Sequence, residues 1–324
     1  MAVRVVGCVV ASACVAAMVV PTAFAQAWPA KPIRWIVSYA PGSTGDIFAR
    51  LLAARCADGL GQQLVIENRG GANGNVGTAA GAKSPADGYT FLLAGNASLA
   101  INPHLSAGLQ YDPVKDFAPV MLIGSVPLLL NAHPALPIRS PGDLLALARA
   151  RPGQIDYASG GNGTSTHLAG ELLNMMGRIS LRHVPYRTSA QAITDLMGGH
   201  MMLMFTGLPT TLSQIRAGKL RPVTVTGSRR SNALPDVPAL AETLPGYEVS
   251  AWYGLLAPAG TPGEIVARMH GELARALQGA DVQERLRALG ADVAGSSPDA
   301  FATYIRDELA RWGKVVKAAG AKLD

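Results

Sequence analysis

This chain has few of the residues that crosslink a fold or serve as nucleophiles. It contains three cysteines, of which Cys8 and Cys14 lie in an apolar amino-terminal run, so Cys56 is the single cysteine in the rest of the sequence. One thiol forms no intramolecular disulfide, and the fold must therefore depend on its hydrophobic core. Cys56 itself falls within an apolar helical pattern, which predicts a buried thiol rather than a nucleophile.

Aromatic and charged residues are also scarce, at 6% and 15% of the chain. The net charge of +6 is spread along the sequence without a run of Lys or Arg. Nucleic-acid binding usually needs clustered basic residues, often with aromatic residues between them, so no nucleic-acid partner is predicted. A dispersed positive charge is nevertheless suited to a small anionic ligand.

The familiar catalytic motifs are missing as well. The sequence has no Gly-x-Ser-x-Gly elbow, no His-Glu-x-x-His pair and no phosphate-binding Gly-Lys-Ser/Thr turn. Its histidines lack metal-ligand spacing, and they are His104, His133, His167, His183, His200 and His270. We therefore predict no metal, no cofactor and no enzymatic activity.

Ser165 and His167 form the one suggestive Ser/His pair. Residues two apart on a helix do not face each other, so a direct dyad is not expected and the His167 ring should bond locally. A secreted hydrolase using this pair stays open as an alternative.

Residues 1–25 have the pattern of a secretory signal peptide. Arg4 precedes an almost wholly apolar run over 5–20, and Ala23-Phe24-Ala25 forms a cleavage site before Gln26. An uncleaved membrane anchor and a lipoprotein modified at Cys14 are the alternatives. Cleavage would leave residues 26–324 with a net charge of +5 and predicts a periplasmic location.

Alternating short apolar strands and amphipathic helices predict an α/β fold with parallel sheet. Predicted strands cover 33–38, 64–67, 90–94, 155–158, 180–184, 201–205, 221–226 and 249–257. Predicted helices cover 47–60, 76–82, 140–150, 165–176, 189–197, 209–217, 262–277, 281–289 and 298–317. The last of these has Ser297 as its N-cap and an apolar stripe through Phe301 and Trp312.

The apolar stretch 117–131, interrupted by Gly124 and Pro127, predicts one strand leaving a first domain and another entering a second. The run 249–257 predicts a return to the first domain. Domain 1 then comprises residues 26–125 and 249–324, domain 2 comprises residues 126–248, and two crossing segments form a hinge.

Two similar glycine-rich turns are the most informative feature of the chain. They are Tyr39-Ala-Pro-Gly-Ser-Thr-Gly-Asp46 and Ser159-Gly-Gly-Asn-Gly-Thr-Ser-Thr-His167. Each follows a predicted strand and precedes a predicted helix, an arrangement that leaves backbone N–H groups at a helix N-terminus for an anion. With one turn in each predicted domain, the sequence predicts a cleft that grips a small anion from both sides.

Two charged residues near these turns leave alternatives open. Asp46 is favoured in the first turn of a helix by the helix dipole, but it could also bind a substrate ammonium group. Arg187 follows Pro185-Tyr186 at a strand end. It either clamps a carboxylate through its guanidinium group or is simply solvated.

Many segments, in the same order and over nearly the whole of residues 26–324, resemble the Bug family of periplasmic substrate-binding proteins. One is Glu67-Asn-Arg-Gly-Gly-Ala-Asn-Gly74. The others are 31–46, 86–90, 102–103, 157–164, 167–171, 184–186, 195–199, 217–220, 234–238 and 256–262. This family serves tripartite tricarboxylate transporters. The resemblance implies a two-lobed, type II periplasmic binding fold that closes like a Venus flytrap, works as a monomer and delivers its ligand to membrane permease subunits.

The resemblance also implies a ligand carboxylate held by both glycine turns. Family ligands are citrate, dicarboxylates, acidic amino acids and aromatic or pyridine carboxylates. The predicted ligand-binding residues are Tyr39, Pro41, Gly42, Ser43, Thr44, Asp46, Asn96, Ser98, Ser159, Gly160, Asn162, Gly163, Thr164, Ser165, Tyr186, Arg187 and Thr206.

The chain departs from the family pattern at Ser43, where Gly is usual, at Arg187-Thr188, where Lys-Gly is frequent, and at Thr206, where Asp is common. The ligand within this class therefore stays open, as does a sensory role in which the protein presents its ligand to a two-component receptor.

Overall fold

The computed structural model describes Met1 and residues 28–319. The predicted leader, with Cys8, Cys14 and the cleavage site before Gln26, lies outside those residues. The strands are β1 (Ile33–Val37), β2 (Leu64–Asn68), β3 (Thr90–Gly95), β4 (Phe117–Ala132), β5 (Ile155–Ser159), β6 (Leu181–Pro185), β7 (Leu203–Gly207), β8 (Arg221–Val225), β9 (Ser250–Pro258) and β10 (Asp292–Val293). The helices are α1 (Thr44–Leu60), α2 (Asn75–Ala82), α3 (Asn102–Leu105), α4 (Pro141–Ala150), α5 (Ser165–Gly177), α6 (Ser189–Met197), α7 (Leu212–Arg216), α8 (Gly263–Gln278), α9 (Ala280–Ala288) and α10 (Pro298–Ala319).

The strands follow the order β2-β1-β3-β9-β4-β7-β5-β6, with β8 and β10 also paired to β4. Strand β1 pairs in parallel with β2 and β3, and β5 pairs in parallel with β6 and β7. These two parallel groups match the predicted sheet. The prediction was incomplete for the strands between them, because β4 and β9 pair antiparallel with each other and with their neighbours.

The stretch predicted as two strands is one continuous strand, β4, and the predicted break there was wrong. The pairing register between β4 and β9 shifts near Pro119 and Gly124, as it does at bulges in long strands, and the strand continues past both residues. Up to Pro127, β4 pairs with β9, and from Leu128 onward it pairs with β7 and β8. A single strand therefore belongs to both groups of strands and changes partners at Pro127–Leu128.

Thr226 ties the two crossing segments together at that change of partner. Its side chain is fully buried. The hydroxyl accepts a hydrogen bond from the Leu128 amide at 2.8 Å and donates to the Val249 carbonyl at 2.6 Å. Its backbone amide donates to the Leu128 carbonyl at 2.9 Å. The Thr226 carbonyl in turn accepts from the Val249 amide at 2.8 Å. These hydrogen bonds join the end of β8 to both segments.

The carboxy-terminal helix α10 packs as its apolar stripe predicts, with Phe301 and Trp312 buried. The indole N–H groups of Trp252 and Trp312 both donate to one oxygen of Glu308, at 2.8 and 2.9 Å. Cys56 is also buried, as predicted, and burial raises the pKa of its thiol to about 12. The thiol is therefore protonated and unreactive near neutral pH.

Candidate functional site

The first glycine turn connects β1 to α1 and depends on its glycine and on its helix cap. Gly42 has a φ of +77°, a backbone conformation that favours glycine. Ser43 is the N-cap of α1, and its hydroxyl accepts the amide proton of Asp46. The Gly42 amide donates to the Asp46 carboxylate at 2.8 Å. The turn is therefore held by its own polar groups before any ligand arrives.

Asp46 has the structural role favoured by its position in the first helical turn. The Arg50 guanidinium lies 3.0 Å from one carboxylate oxygen, and Asn68 donates to the same oxygen at 2.8 Å. Burial alone would raise the pKa of the carboxyl, but the hydrogen bonds from Arg50, Gly42 and Asn68 outweigh it and lower the pKa. Since Asp46 is buried and already accepts these donors, it is poorly placed to bind an ammonium group.

The second glycine turn connects β5 to α5 and repeats this design. Thr164 is the N-cap, and its hydroxyl accepts from the His167 amide and donates to the Gly161 carbonyl at 2.7 Å. The Gly163 amide donates to His167 Nδ1 at 3.1 Å. Gly161 and Gly163 have φ values of +119° and +71°, so the path of the turn needs both glycines.

A buried pair of histidines lies beneath this second turn. The rings of His167 and His183 stack with centroids 3.9 Å apart, and His183 Nε2 lies 2.6 Å from the Ser159 hydroxyl. Burial lowers the pKa of both rings, and for His183 the pKa falls to about 3 with a contribution from His167. Both are neutral near pH 7. Because His167 Nδ1 accepts the Gly163 proton, its own proton is on Nε2, which faces Glu171 at 3.8 Å.

These contacts answer the question of a Ser165–His167 dyad. The accepting nitrogen of His167 is occupied by a backbone amide, so the ring bonds locally as predicted. A serine hydroxyl does bond to a histidine ring at Ser159, whose partner is His183, and the sequence did not predict this pair. Ser159 and His183 are 24 residues apart and lie on different strands, so the sequence contains no local signal for their contact.

The amides available to a ligand are fewer than the sequence suggests. Several turn amides bond within their own turns, among them those of Gly42 and Gly163. The first two amides of each helix have no acceptor within the helix. They belong to Thr44 and Gly45 in α1, and to Ser165 and Thr166 in α5. An anion site built on these turns therefore centres on two pairs of helix-start amides.

The two halves of the chain touch at these turns. The side-chain amide of Asn73 donates to the backbone carbonyl of Asn162 at 2.7 Å. A Cβ atom placed on Gly207, at the end of β7, would lie 3.5 Å from the Thr44 hydroxyl. No sequence pattern predicts a role for Asn73, because its side chain and carbonyl bond to Asn162 and Asn102, which are distant in sequence.

The other predicted site residues of the first half differ in their contacts. The Tyr39 hydroxyl passes close to Gly95, where a Cβ would lie 2.5 Å from it and would collide with the backbone carbonyl of Trp252, so a glycine is required there. Asn96 donates to the Ser250 carbonyl at 3.1 Å and thereby joins β3 to the start of β9. Ser98 is buried, and its hydroxyl has no hydrogen-bond partner within the described residues.

In the second half, the predicted residues outside the glycine turn already have protein partners or face solvent. The Tyr186 hydroxyl donates to Asp195 at 2.7 Å, while Arg187 is exposed. Thr206 is fully buried, and its hydroxyl bonds to Asn131 and Thr211 at 2.9 and 3.2 Å. Direct contact of Thr206 with a ligand would require that network to rearrange.

A pocket of about 410 Å³ lies away from the two turns. It is on the outer side of α2, lined by Val76, Lys83 and Tyr111 among others. Across Met1 and residues 28–319, no group of three His, Cys, Asp or Glu side chains could hold a metal ion. No helix in the same part of the chain is long and apolar enough to cross a membrane.

Comparison with known proteins identifies the family. The sequence profile described as "Tripartite tricarboxylate transporter family receptor" (TctC) matches residues 48–321. The chain belongs to the TctC family. It is 39% identical over 321 residues to the protein BugT of Bordetella pertussis, an alignment covering 98% of this chain and 97% of BugT.

Two solved structures are similar in sequence and in fold. The R. palustris protein Rpa4515, solved with adipate, is 38% identical, with a TM-score of 0.86 over 91% of this chain and 100% of its own. MatC (Rpa3494) from Rhodopseudomonas palustris, solved with bound malate, is 32% identical, with a TM-score of 0.81 over 89% of this chain and 100% of its own. The predicted α/β binding-protein fold is thereby confirmed. TctC proteins are periplasmic substrate-binding receptors rather than enzymes, which excludes the hydrolase alternative.

Proposed function

We propose that this receptor captures a small carboxylate between its two glycine turns and delivers it to the membrane permease of a tripartite tricarboxylate transporter. The observation that carries the proposal is the pairing of helix-start amides. Thr44 and Gly45 lie on one side, and Ser165 and Thr166 lie on the other. Each helix N-terminus favours a negative charge by roughly 0.3–1 kcal/mol, and by more when partly buried. The adipate and malate bound to the two relatives are dicarboxylates, which supports the same ligand class here.

Within this class, the environment of Asp46 favours carboxylates without an ammonium group. Its oxygens accept from Gly42, Arg50 and Asn68, and the resulting low pKa reflects a satisfied carboxylate. An amino acid would have to compete with these donors or find another anionic partner. Dicarboxylates of the adipate or malate type should therefore bind better than glutamate or aspartate.

Closure of two lobes about a two-strand hinge is part of this proposal. The lobes are residues 26–125 with 249–324, and residues 126–248. The change of β4 partners at Pro127–Leu128 supports this division, as does the Thr226 junction. The proposal also includes cleavage before Gln26, a periplasmic location and a monomeric binding unit.

Native mass spectrometry of freshly purified protein, followed by identification of any released small molecule, tests the ligand class first. A thermal-shift screen near neutral pH then compares adipate, malate, citrate, an aromatic carboxylate, glutamate, arginine and maltose. We expect the melting temperature to rise with one or more carboxylates and to stay unchanged with maltose. A rise with maltose and with no carboxylate would overturn the proposal.

Delivery to a permease is tested separately, in cells. Deletion of the gene should abolish uptake of the radiolabelled carboxylate identified by the screen, and expression of the protein should restore it. Uptake that is unchanged by the deletion would favour the sensory role instead.

A further inference from the structure

Asn73 makes a side-chain hydrogen bond that joins the loop after β2 directly to the second glycine turn. Its amide nitrogen lies 2.7 Å from the backbone carbonyl oxygen of Asn162, which is 89 residues further along the chain. Asn73 belongs to the loop after β2, and Asn162 lies between Gly161 and Gly163 in the second turn. Because the two partners belong to different proposed lobes, this bond can form only when the lobes are together.

The loop that presents Asn73 has an unusual backbone. Four successive residues have positive φ, with values of +127° at Gly71, +45° at Ala72, +52° at Asn73 and +91° at Gly74. Residues with a Cβ rarely adopt such angles, and asparagine tolerates them better than most. A conformation of this kind persists only where the surrounding structure holds it.

Asn102 supplies that support from beneath the loop. Its side chain is fully buried, and its amide donates to the Asn73 carbonyl at 3.2 Å and to Asn75 Oδ1 at 2.7 Å. The Tyr111 hydroxyl also donates to Asn75 Oδ1 at 2.7 Å. These contacts fix the loop within its own half of the chain, so Asn73 is aimed across the cleft without help from the ligand.

We propose that Asn73 is a latch that holds the closed form and slows ligand release. The inference rests on the proposed function, since it assumes that closure of the two lobes retains the carboxylate. The latch bonds to a backbone carbonyl beside the helix-start amides of α5. Closure would thus secure the turn that holds the ligand without contacting the ligand itself.

A crosslinking experiment tests the contact without any ligand. The variant pair Asn73→Cys and Asn162→Cys is treated with a short bis-maleimide, and the matched control pairs Lys83→Cys, at the far end of α2, with Asn162→Cys. Cys56 is buried and should not compete. We expect the 73–162 pair to crosslink several-fold faster than the control pair. Equal rates would overturn the latch.

A second experiment tests the effect on release, with adipate as the probe. Asn73→Gly removes the amide but suits the positive φ, and Asn73→Asp keeps the shape but offers an acceptor to the Asn162 carbonyl. Stopped-flow measurements should show dissociation faster by about 2- to 10-fold for Asn73→Gly, and faster still for Asn73→Asp. Association rates should change little, because the latch forms after the ligand has entered.

Gln63→Glu is the control for the change from amide to carboxylate. Gln63 is exposed and precedes β2, at the amino-terminal edge of the parallel strands and therefore opposite the glycine turns. The Gln63→Glu variant should leave the dissociation rate of adipate unchanged. Wild-type dissociation rates in both Asn73 variants would overturn the proposal even if the crosslink forms.

If adipate does not bind the wild type, the carboxylate that gives the largest thermal shift replaces it as the probe. If no carboxylate binds, the proposed function fails, while the crosslinking result still decides whether the contact exists.

Discussion

Ser165 occupies the first helical position of α5, where its amide proton has no acceptor within the helix. Proline is favoured at this position because it removes only an amide that has no helical acceptor. The preceding Thr164 has φ −72° and ψ 158°, which is a conformation compatible with a following proline. The chain already uses Pro141 and Pro298 in this way at the starts of α4 and α10.

Substitutions at Ser165 therefore separate the backbone contact from the side-chain contact. Ser165→Ala should weaken adipate binding by about 0.5–1.5 kcal/mol, the usual contribution of one neutral hydrogen bond. Ser165→Pro should cost about 1.5–3 kcal/mol, because it removes a backbone bond to a charged ligand. Calorimetric titration measures both, and circular dichroism confirms that the proline variant folds. Equal losses would mean that the hydroxyl carries the contact.

His183 makes the stability of the fold depend on pH. Its pKa in the folded protein is about 3, below the value near 6.5 expected for an unfolded histidine. Between these values the unfolded chain binds more protons, so the free energy of unfolding falls as the pH drops from about 6.5 toward 3. The slope for this one group is at most about 1.4 kcal/mol per pH unit, and partial exposure reduces it.

His183→Gln should flatten that slope, because glutamine can still bond to Ser159 but does not titrate. Urea unfolding at pH 7.5, 6 and 5 compares the variant with the wild type. His200→Gln, in the loop before β7, is the control because the His200 side chain is exposed to solvent. A slope that is the same in the wild type and the His183 variant would assign the acid sensitivity to other groups.

At the scale of elements, the cap of α5 serves both the helix and the glycine turn. The Thr164 hydroxyl bonds to the His167 amide and to the Gly161 carbonyl, whereas the Ser140 hydroxyl of α4 caps a helix away from the cleft. Thr164→Ala and Ser140→Ala should each lower the free energy of unfolding by about 1 kcal/mol. Only Thr164→Ala should also weaken adipate binding, because only Thr164 shapes the turn.

Urea denaturation and calorimetric titration of the same preparations test this pair of variants. A loss of adipate affinity in Ser140→Ala as large as that in Thr164→Ala would show that general destabilisation, rather than turn geometry, weakens binding.

The elements that sequence predicted well are those whose signal is local. The N-cap and apolar stripe of α10 and the strand–turn–helix units at both glycine turns all appear where the residue pattern places them. The break predicted near Pro127 was wrong because β4 changes partner strands there. A proline at that position removes no inter-strand hydrogen bond that β4 needs. Pro127 lies where β4 leaves β9, and Leu128 begins the pairing with β7 and β8.

The candidate site was predictable as two turns but not as a set of contacts. The position of Asp46 in a first helical turn predicts its structural role, and its hydrogen bonds agree. The contacts of His183 with Ser159 and of Asn73 with Asn162 join residues far apart in sequence, which no periodicity reveals. Their geometry depends on how strands and lobes are brought together.

At the scale of the whole molecule, the amino terminus of the protein found in cells tests the predicted leader directly. The cleavage site Ala23-Phe24-Ala25 predicts that mature protein begins at Gln26. Amino-terminal sequencing of protein from the periplasm should give Gln26 as its first residue. A sequence starting at Met1, or mass evidence for lipid on Cys14, would contradict the prediction.

The position of β9 in the strand order has a consequence for how the chain folds. Leu92 of β3 pairs with Leu256 of β9, and β9 lies between β3 and β4. Strands β3 and β4 can therefore not be joined until β9, in the last quarter of the chain, has been synthesised. Contacts this distant in sequence make folding slow, and a nascent chain that ends before residue 250 keeps the edges of β3 and β4 open. The two groups of parallel strands therefore become one sheet only when β9 pairs with both β3 and β4, late in the synthesis of the chain.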